Sequence, residues 1–331
     1  MMKISKIYVY PIKSLRPTPV SEAVASQYGF DHDRRFMLLK VKDDGSYQNM
    51  HVGAGFPQMT LFLTNISPLE TDGNSVGLIH VDYKPPKPAE SRSMKVPLRP
   101  STENLHAIEV NMHNSPCKAF KMPAEYSRWF SDCFGFDVIL AYLGDNLRTV
   151  RFEEMKPSQG GWISSISSTI LGASSPNTPQ IGFADCAPYL LVSKTSLDDV
   201  SSRLEGEEEM DVTKFRPNIV IEGAENAWDE DYWGKIKIGD TELNLEHNCV
   251  RCKSINVDYN TGEPGTGVSG SVLKKMQKDR RVDMGAKYSP VFGRYGYWSP
   301  KHGTKTFRVG DEVSITQVNP ERTVWSWKGL G

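Results

Sequence analysis

Short segments of alternating apolar and polar residues, separated by turn signals, recur along most of this chain. Residues 4–12 are dense in β-branched and aromatic side chains, as is typical of a half-buried strand. Asp44-Gly45 and Gly239-Asp240 each lie between strand-like segments and predict hairpin turns. Further strands are predicted at residues 34–41, 59–63, 78–83, 106–112, 118–121, 138–143, 189–192, 235–238, 241–245 and 307–315. This succession predicts a mainly β protein with a few helices, in the α+β class, built as a barrel or sandwich.

Three segments have the pattern of helices. The first begins at Pro123 and ends at Gly135. Its apolar residues recur at helical spacing and are Tyr126, Trp129, Phe130 and Cys133. The second begins with the capping-box pattern Thr195-x-x-Asp198, and the third spans residues 271–278. We expect all three to be scaffold.

The length of the chain allows more than one hydrophobic core. It has 331 residues, of which 38% are hydrophobic, enough for one large or two medium cores. Residues 153–181 are rich in Gly, Ser and Pro and lack periodicity, and long loops of this kind tend to be functional. We therefore predict two tightly packed domains, residues 1–150 and 151–331, and expect Trp162 to border the substrate entrance.

Charge and cysteine content restrict the class of function. The 39 basic and 40 acidic residues give a formal net charge of −1, so the composition favours a small molecule or a protein over nucleic acid or an anionic membrane. Five scattered cysteines indicate free thiols in an intracellular compartment. The sequence has no run of 18 apolar residues and no leader pattern. We expect no transmembrane segment and a cytoplasmic location, with mitochondrial association left open.

The segment HNCVRCKSINVDYNTG, which begins at His247, carries a CxxC pair. Its cysteines, Cys249 and Cys252, flank Arg251, and a thiolate beside a cation is a soft ligand for zinc, copper, iron clusters or molybdenum. Zinc would need four ligands, and only His247 and the distant His302 could add to the pair. A thioredoxin-like motif would open a helix, whereas a strand pattern follows Cys252. The remaining alternative is two buried structural cysteines.

Four separated motifs resemble, in the same order, those of the MOSC domain family, which is named for the C-terminal domain of molybdenum cofactor sulfurase. They are YPIKSLRP at residues 10–17, FRPNIVIEG at 215–223, NCVRCKSINVDYNTG at 248–262 and SPVFGRYGYW at 289–298. The first motif makes the chain similar in particular to the two-part MOSC proteins of the mitochondrial amidoxime-reducing component family. The resemblance covers nearly the whole chain. It implies an N-terminal MOSC-type β-barrel domain packed on a MOSC β-barrel domain.

The resemblance also implies a molybdenum cofactor, a pyranopterin dithiolene whose metal takes one protein thiolate. Carried over by position, Cys252 is the metal ligand and catalytic residue, and Cys249 matches a cysteine that does not ligate. The residues that match cofactor-binding positions are Lys13, Ser14, Arg35, Arg216, Asn218, Arg251 and Tyr295. Hydroxyl positions of the family are replaced here by Cys186, Ala187 and Val250, so any contact there must come from the backbone.

Two adjacent arginines illustrate how this assignment depends on strand register. Arg34 and Arg35 point to opposite faces if both lie on one strand. The resemblance places Arg35, directly before Phe36, towards the cofactor, and we expect Arg34 to be a surface charge. From the residues alone, a solvated loop around Lys13 and a structural role for Arg216 remain alternatives.

The reaction implied by the resemblance is reductive cleavage of N–O bonds in N-hydroxylated amidines, amines and related compounds. The sequence has no flavin, nicotinamide or iron–sulfur pattern, so the electrons must come from an external donor. Relatives use a small b-type cytochrome and its NADH-dependent reductase. The alternatives are a non-catalytic MOSC protein that binds or passes on the molybdenum cofactor or its sulfur, and a zinc or purely structural role. Pyridoxal phosphate binding is a further possibility at the level of the family.

Overall fold

The computed structural model describes residues 1–67, 77–155, 179–205, 209–298 and 303–327. The described helices are α1 (Ala124–Phe134), α2 (Lys194–Ser202) and α3 (Val268–Met276). The described strands are, in chain order, β1 Met2–Val9, β2 Thr18–Val20, β3 Glu22–Ser26, β4 Gly29–Phe30, β5 Phe36–Val41, β6 Tyr47–Asn49, β7 Phe62–Ser67, β8 Leu78–Tyr83, β9 Arg92–Pro97, β10 His106–Met112, β11 Ser115–Lys121, β12 Val138–Tyr142, β13 Arg148–Thr149, β14 Gln180–Ile181, β15 Tyr189–Ser193, β16 Ile219–Glu222, β17 Trp233–Ile238, β18 Thr241–Val250, β19 Val257–Asp258, β20 Glu263–Pro264, β21 Val291–Trp298, β22 Lys305–Arg308 and β23 Glu312–Val318. Short 3-10 helices span Val52–Ala54, Pro57–Leu61, Glu153–Met155, Val212–Phe215, Asp229–Tyr232 and Lys253–Asn256.

Seven strands close into a barrel. Their order around it is β1, β16, β15, β21, β18, β17 and β23, with β23 returning to β1. The pair β15–β16 is parallel and the other pairs are antiparallel. Its interior is filled by buried aliphatic and aromatic side chains, among them Ile7, Ile219, Ile236, Leu243 and Trp298. Closure pairs every strand on both sides, which removes the free edges of an open sheet.

The first strand of the chain seals this barrel. β1 comes from the first nine residues, whereas the other six barrel strands lie between Tyr189 and Val318. Ile7 lies opposite Ile219 in the β1–β16 pair, and the Tyr8 amide donates to the Asn218 carbonyl at 2.9 Å. The two ends of the chain are therefore parts of one sheet. The division of the domains at residue 150 stays a prediction.

A second group of strands forms its own hydrophobic core. It comprises a five-stranded sheet, β10-β11-β12-β5-β6, and a three-stranded sheet, β7-β8-β9. Helix α1 packs Trp129 and Phe130 into this core, where their rings lie 6.0 and 5.7 Å from that of Phe62. Gly135 ends α1 in the left-handed conformation, with its N–H bonded to Ser131 O at 2.8 Å, as a helix C-terminus commonly requires. The helix predicted between Pro123 and Gly135 is confirmed.

The segment after β1 joins the two groups of strands. The amide of Lys13 donates to Phe36 O at 2.8 Å, and that of Arg16 donates to Phe62 O at 2.9 Å. Ile12 forms an isolated bridge with Phe36. Because these bonds tie residues 12–16 to β5 and β7, the polar residues of the segment are held rigidly where the barrel meets the second core.

The predicted mainly β architecture is confirmed, but some local predictions were wrong. The segment after Cys252, predicted as a strand, is the 3-10 helix Lys253–Asn256, and a strand begins at Val257. Residues 57–61 form a 3-10 helix and the strand begins at Phe62, because Pro57 is well suited to the first turn of a helix. Helix α2 begins one residue before Thr195, whose hydroxyl donates to Ala224 O at 3.0 Å. It makes that tertiary contact in place of the capping box.

Two further expectations concern the substrate entrance and membrane-spanning segments. Trp162, which was expected to border the substrate entrance, lies outside them. Among the residues that the structure describes, no helix is long and apolar enough to cross a membrane.

A buried acidic pair lies in the turn before β17. Glu230 and Asp231, in the 3-10 helix Asp229–Tyr232, are each 1% exposed. Asp231 binds Arg280 Nη2 and Arg322 Nε, both at 2.8 Å, whereas Glu230 accepts from Ser196 Oγ at 2.7 Å and pairs with no cation among the described residues. Burial raises the pKa of Glu230 to about 7, with Asp231 adding to the rise and Ser196 opposing it.

We predict that Glu230→Gln stabilises the protein at alkaline pH. Folding raises the pKa of Glu230 above its ordinary value, so its protonated form favours folding at low pH and this contribution is lost as pH rises towards 7. At pH 8 the variant should exceed the wild type in free energy of unfolding by up to about 3 kcal/mol, and at pH 4 by little. Urea unfolding across this range measures the difference.

The exposed Glu225 provides a matched control. Glu225→Gln should leave the pH profile of unfolding unchanged. A stability difference between wild type and Glu230→Gln that is the same at pH 4 and pH 8 would contradict the buried-acid interpretation.

Candidate functional site

Cys249 and Cys252 lie at the end of β18 in opposite environments. Cys249 is on the strand, 3% exposed, and its thiol donates to Tyr295 Oη at 3.1 Å. Burial raises the pKa of Cys249, which favours the neutral thiol. Cys252 follows the strand, is exposed, and has its Sγ 3.2 Å from Ser254 Oγ. Of the two thiols, only that of Cys252 is accessible to a ligand.

Arg251 fixes the main chain at Cys252. Its guanidinium is buried and donates to two backbone carbonyls, from Nε to Phe292 O at 2.9 Å and from Nη1 to Phe215 O at 2.7 Å. Its amide donates to Pro290 O at 2.8 Å. The carbonyls of β21 and of the chain before β16 thereby hold the turn. Arg251 acts through the backbone, since its guanidinium is occupied by protein.

The other wall beside Cys252 comes from the 3-10 helix Val52–Ala54, in the N-terminal half. A methyl group on Gly53 would lie 3.2 Å from Cys252 Sγ and 3.6 Å from His51 Nδ1. His51 precedes this helix in an extended conformation, with its carbonyl accepting from the Ala54 amide at 2.9 Å. A thiol and an imidazole therefore border the space that the absent side chain of Gly53 leaves.

A hairpin tip brings a second histidine to the same place. His113 and Asn114 have φ of +52° and +61° and form the two-residue turn between β10 and β11, as a type I′ turn requires. His113 Nε2 lies 3.3 Å from Asp185 Oδ1, and its ring is 6.5 Å from that of His51. Asp185 also pairs with the Nζ of Lys13. One carboxylate thus joins the N-terminal segment, the hairpin and the loop before β15.

The charges of this cluster follow from unequal burial. Lys13 is 4% exposed and also donates to Phe183 O at 3.0 Å, whereas the Asp185 side chain is 55% exposed. Burial lowers the pKa of Lys13, and Asp185 opposes this. For Asp185 the surrounding protein raises the pKa, but Lys13 and His113 outweigh it and hold the pKa well below its ordinary value. Burial, followed by Lys13, lowers the pKa of His51. The carboxylate is therefore ionised and His51 is neutral at neutral pH.

Arginines surround the buried Tyr10 at the end of β1. The guanidinium groups of Arg34 and Arg216 lie 4.5 and 4.4 Å from the centroid of its ring, within the range of cation–π attraction. Arg216 Nη1 donates to Leu15 O at 2.9 Å, and its buried Nη2 has no hydrogen-bond partner among the described residues. Burial lowers the pKa of Arg216, and Arg34 adds to that effect while Tyr10 opposes it. A buried donor without a partner marks a place where an anion or a polar ligand group would be stabilised.

The expectation that Arg34 is a surface charge was wrong. Arg34 is 8% exposed and donates to Asp33 at 2.5 Å and to Asn218 Oδ1 at 3.2 Å. Its φ is +51°, so it lies in a turn and the alternation of a strand does not apply. Arg35 is half-buried and donates to Gly144 O. Arg34 thus joins the Arg216 cluster, whereas Arg35 is engaged at Gly144 and lies near Tyr142 and Asp145.

The remaining predicted residues differ in how much they can offer a ligand. Asn218 is 1% exposed, and its amide is engaged by Arg34, by the Leu190 amide at 3.2 Å and by Tyr8 O at 3.3 Å. Ser14 is buried with φ of +68°. Tyr295 is buried beside Cys249. Asn218 and Tyr295 therefore support the site from within the protein.

The three replaced hydroxyl positions fall around the same region. Cys186 is 1% exposed, Ala187 is buried and Val250 is half-buried. The Cys186 carbonyl accepts from Tyr297 Oη at 2.8 Å. Burial raises the pKa of the Cys186 thiol, and Asp185 adds to that rise.

Four residues of this region were missed in the sequence: His51 and Gly53 near the thiol, and His113 and Asp185 on the far side of His51. His113-Asn114 between two strands was the one usable signal, since Asn favours the left-handed conformation of a hairpin turn. The other three lie in segments without periodicity. Among the described residues, no three His, Cys, Asp or Glu side chains are placed to share a metal ion.

Comparisons with known proteins agree with the order of the motifs. The family model described as MOSC N-terminal beta barrel domain matches residues 1–137, and that described as MOSC domain matches residues 178–314. The chain is 27% identical over 321 residues to mitochondrial amidoxime-reducing component 1 of Mus musculus and 28% identical over 324 residues to that of Homo sapiens. It is 29% identical over 317 residues to mitochondrial amidoxime reducing component 2 of Macaca fascicularis. Each match covers 94% of this chain and 82% of the relative.

A solved structure, the YUAD protein from Bacillus subtilis, aligns over 95% of this chain and 94% of its own, with 10% identity and a TM-score of 0.36. That score is too low for a shared fold to be concluded. The two family matches, in contrast, cover both groups of strands and the segment with the exposed thiol. The chain therefore belongs to the MOSC family, as a MOSC N-terminal beta barrel domain followed by a MOSC domain.

Proposed function

We propose that this protein is a molybdenum cofactor-dependent reductase that cleaves the N–O bond of N-hydroxylated compounds with electrons from an external donor. The observation that carries the proposal is the accessible thiol of Cys252 beside a cluster of ionisable residues, His51, His113, Asp185 and Lys13, in a chain whose relatives are named amidoxime-reducing components. A soft thiolate in such a setting suits molybdenum.

The residues present fit this cofactor. Cys252 would supply the protein thiolate, and the unpartnered Nη2 of Arg216 would donate to an anionic group such as a phosphate. Lys13, Ser14 and Arg35 are the other proposed contacts. Arg251, Asn218 and Tyr295 would position these groups, because their own polar atoms are bonded to protein.

The proposed reduction requires a defined exchange of electrons, protons and water. When bound, the cofactor supplies a metal that accepts the substrate oxygen and passes on two electrons. The N–O bond breaks, two electrons and two protons enter, and one water molecule leaves. We propose a b-type cytochrome with its NADH-dependent reductase as the electron donor. We also propose a compartment in which the free thiols of all five cysteines stay reduced. Mitochondrial association is a further proposal, drawn from the names of the relatives.

The protein groups around Cys252 differ in charge and therefore in the roles that we propose for them. Asp185 remains ionised between Lys13 and His113, so it can accept a hydrogen bond from the amino group of an amidoxime and keep His113 in place. Burial keeps Cys249 as a neutral thiol against the opposing effects of Arg251 and Tyr295. Cys249 therefore does not compete with Cys252 as a ligand.

We predict that protein from a molybdenum-competent host contains about one molybdenum per chain and little zinc, because a single accessible thiolate plus a dithiolene suits molybdenum better than zinc. Metal analysis with pterin fluorescence measures this, and benzamidoxime with a chemical reductant tests turnover. Stoichiometric zinc without pterin would exclude the proposal. Bound cofactor without reduction would instead indicate a carrier of the cofactor or its sulfur.

We predict different effects for two arginines over Tyr10. Arg216→Ala should weaken cofactor retention by about 1.5–3 kcal/mol, since it removes charge-assisted hydrogen bonds, and Arg35→Ala should act in the same direction. Arg34→Ala should instead lower the free energy of unfolding by about 3–5 kcal/mol, because it leaves the buried Asp33 unpaired. Pterin content and urea unfolding of each variant separate the two effects. Equal loss of stability in Arg34→Ala and Arg216→Ala would contradict this division.

We predict that Cys252→Ala abolishes N–O reduction while the fold is retained, because it removes the metal-bound thiolate. Cys249→Ala should keep much of the activity, since it changes only packing and one weak hydrogen bond, at about 1 kcal/mol. Activity normalised to molybdenum and pterin content, with circular dichroism as the check of folding, is the measurement. Complete loss in both variants would favour a dithiol site.

A further inference from the structure

His51 is an enclosed imidazole whose ring faces the accessible thiol. Its Nδ1 and Cε1 lie 3.6 and 3.9 Å from the position that a methyl group on Gly53 would occupy, and Cys252 Sγ lies 3.2 Å from the same position. Among the described residues, the ring nitrogens of His51 make no hydrogen bond. An imidazole carries at least one N–H in either protonation state. His51 therefore presents a polar group to the space beside the thiol.

The neighbouring groups do not occupy this role. His113 is engaged with Asp185, and the Lys13 ammonium is engaged with Asp185 and Phe183 O. The Ser254 hydroxyl is engaged with the thiol itself, since its Oγ lies 3.2 Å from Cys252 Sγ. His51 is thus a described side chain near Cys252 with hydrogen-bonding capacity to spare.

Gly53 determines the room available. It is not in the left-handed conformation, so its backbone would accept a side chain, but that side chain would fall between the thiol and His51. A contact of 3.2 Å is tighter than nine in ten contacts of real Cβ atoms. A glycine here therefore leaves the thiol and the imidazole without a side chain between them.

We infer that His51 donates a hydrogen bond to the oxygen of the substrate's N-hydroxyl group beside Cys252, on the side where Gly53 places no side chain between the thiol and the imidazole. This rests on the proposed function and adds the residue that selects for the oxygen. A site with a dedicated donor rejects an analogue that lacks the partner, because the donor is left unpaired. His51 thereby distinguishes an amidoxime from the amidine that is the product of its reduction.

The test is a binding comparison on the cofactor-loaded, oxidised protein without an electron donor, so that no turnover occurs. Dissociation constants are measured for benzamidoxime and for benzamidine, which lacks the hydroxyl. The wild type should prefer benzamidoxime. His51→Ala should lose about tenfold of that preference, as expected for one hydrogen bond, and leave the affinity for benzamidine unchanged.

Three variants complete the experiment. His51→Gln, which keeps an N–H donor, should retain part of the preference, and Gly53→Ala should lower the affinity for benzamidoxime more than that for benzamidine. His106→Ala, at an exposed position on β10, is the control and should match the wild type. Molybdenum and pterin content are measured for every variant.

The outcomes separate this inference from the proposed function. A wild type that shows no preference for benzamidoxime, a preference that survives in His51→Ala, or equal loss in His51→Ala and His51→Gln would each overturn the role of His51. A loaded wild type that binds benzamidoxime through His51 but does not reduce it with a chemical reductant would overturn the proposed reaction and leave the binding role intact.

Discussion

The pairing of β1 with β16 is the constraint on which the barrel and the site both depend. The two strands are antiparallel, so the end of β1 lies beside the start of β16. Tyr10 and the segment that follows it are thereby brought next to Arg216 and Asn218, some 200 positions later in the chain. Asn218 stabilises this junction through hydrogen bonds. Its backbone carbonyl bonds to Tyr8, and its side-chain amide bonds to Arg34 and Leu190. Without this pair the barrel has an open edge, and the cationic residues around Tyr10 have no common location.

Buried cations shape the site, and the way each is satisfied indicates what it does. A buried charge is tolerated only where hydrogen bonds replace its hydration. Arg251 meets this condition with backbone carbonyls, and Arg34 meets it with Asp33 and Asn218. Arg216 meets it only in part, since one of its nitrogens has no partner among the described residues. Of the three arginines Arg34, Arg216 and Arg251, Arg216 is therefore the one with a donor left for a ligand.

The same principle distinguishes the two thiols and the two histidines. Burial keeps Cys249 as a neutral thiol within the core, where it donates to Tyr295, whereas Cys252 leaves the strand at a turn that Arg251 holds. His113 is tied to Asp185, whereas the ring nitrogens of His51 make no hydrogen bond with any described residue. In each pair, two side chains of the same type have different tertiary contacts. One of them supports the site and the other faces it.

Much of the architecture followed from local pattern, because strands and helices are set by periodicity and by turn residues close in sequence. Three features were predictable in this way: the predominance of strands, helix α1 with its end at Gly135, and the hairpin at Gly239-Asp240. The difference between Arg34 and Arg35 was not, since it depends on a left-handed turn that interrupts the expected alternation. The start of α2 was also misplaced, because a tertiary partner competes for Thr195.

The sequence by itself determined the family motifs, the CxxC pair and the polar residues that could serve a molybdenum cofactor. Only the tertiary structure decided which of them have free capacity, and it added His51, Gly53, His113 and Asp185. These four come from three segments that carry no periodic pattern. Their proximity to one another arises from loop positions and a hairpin tip, which depend on long-range packing. Burial and hydrogen-bond partners are properties of that packing, so the roles of individual side chains could not be read from their order in the chain.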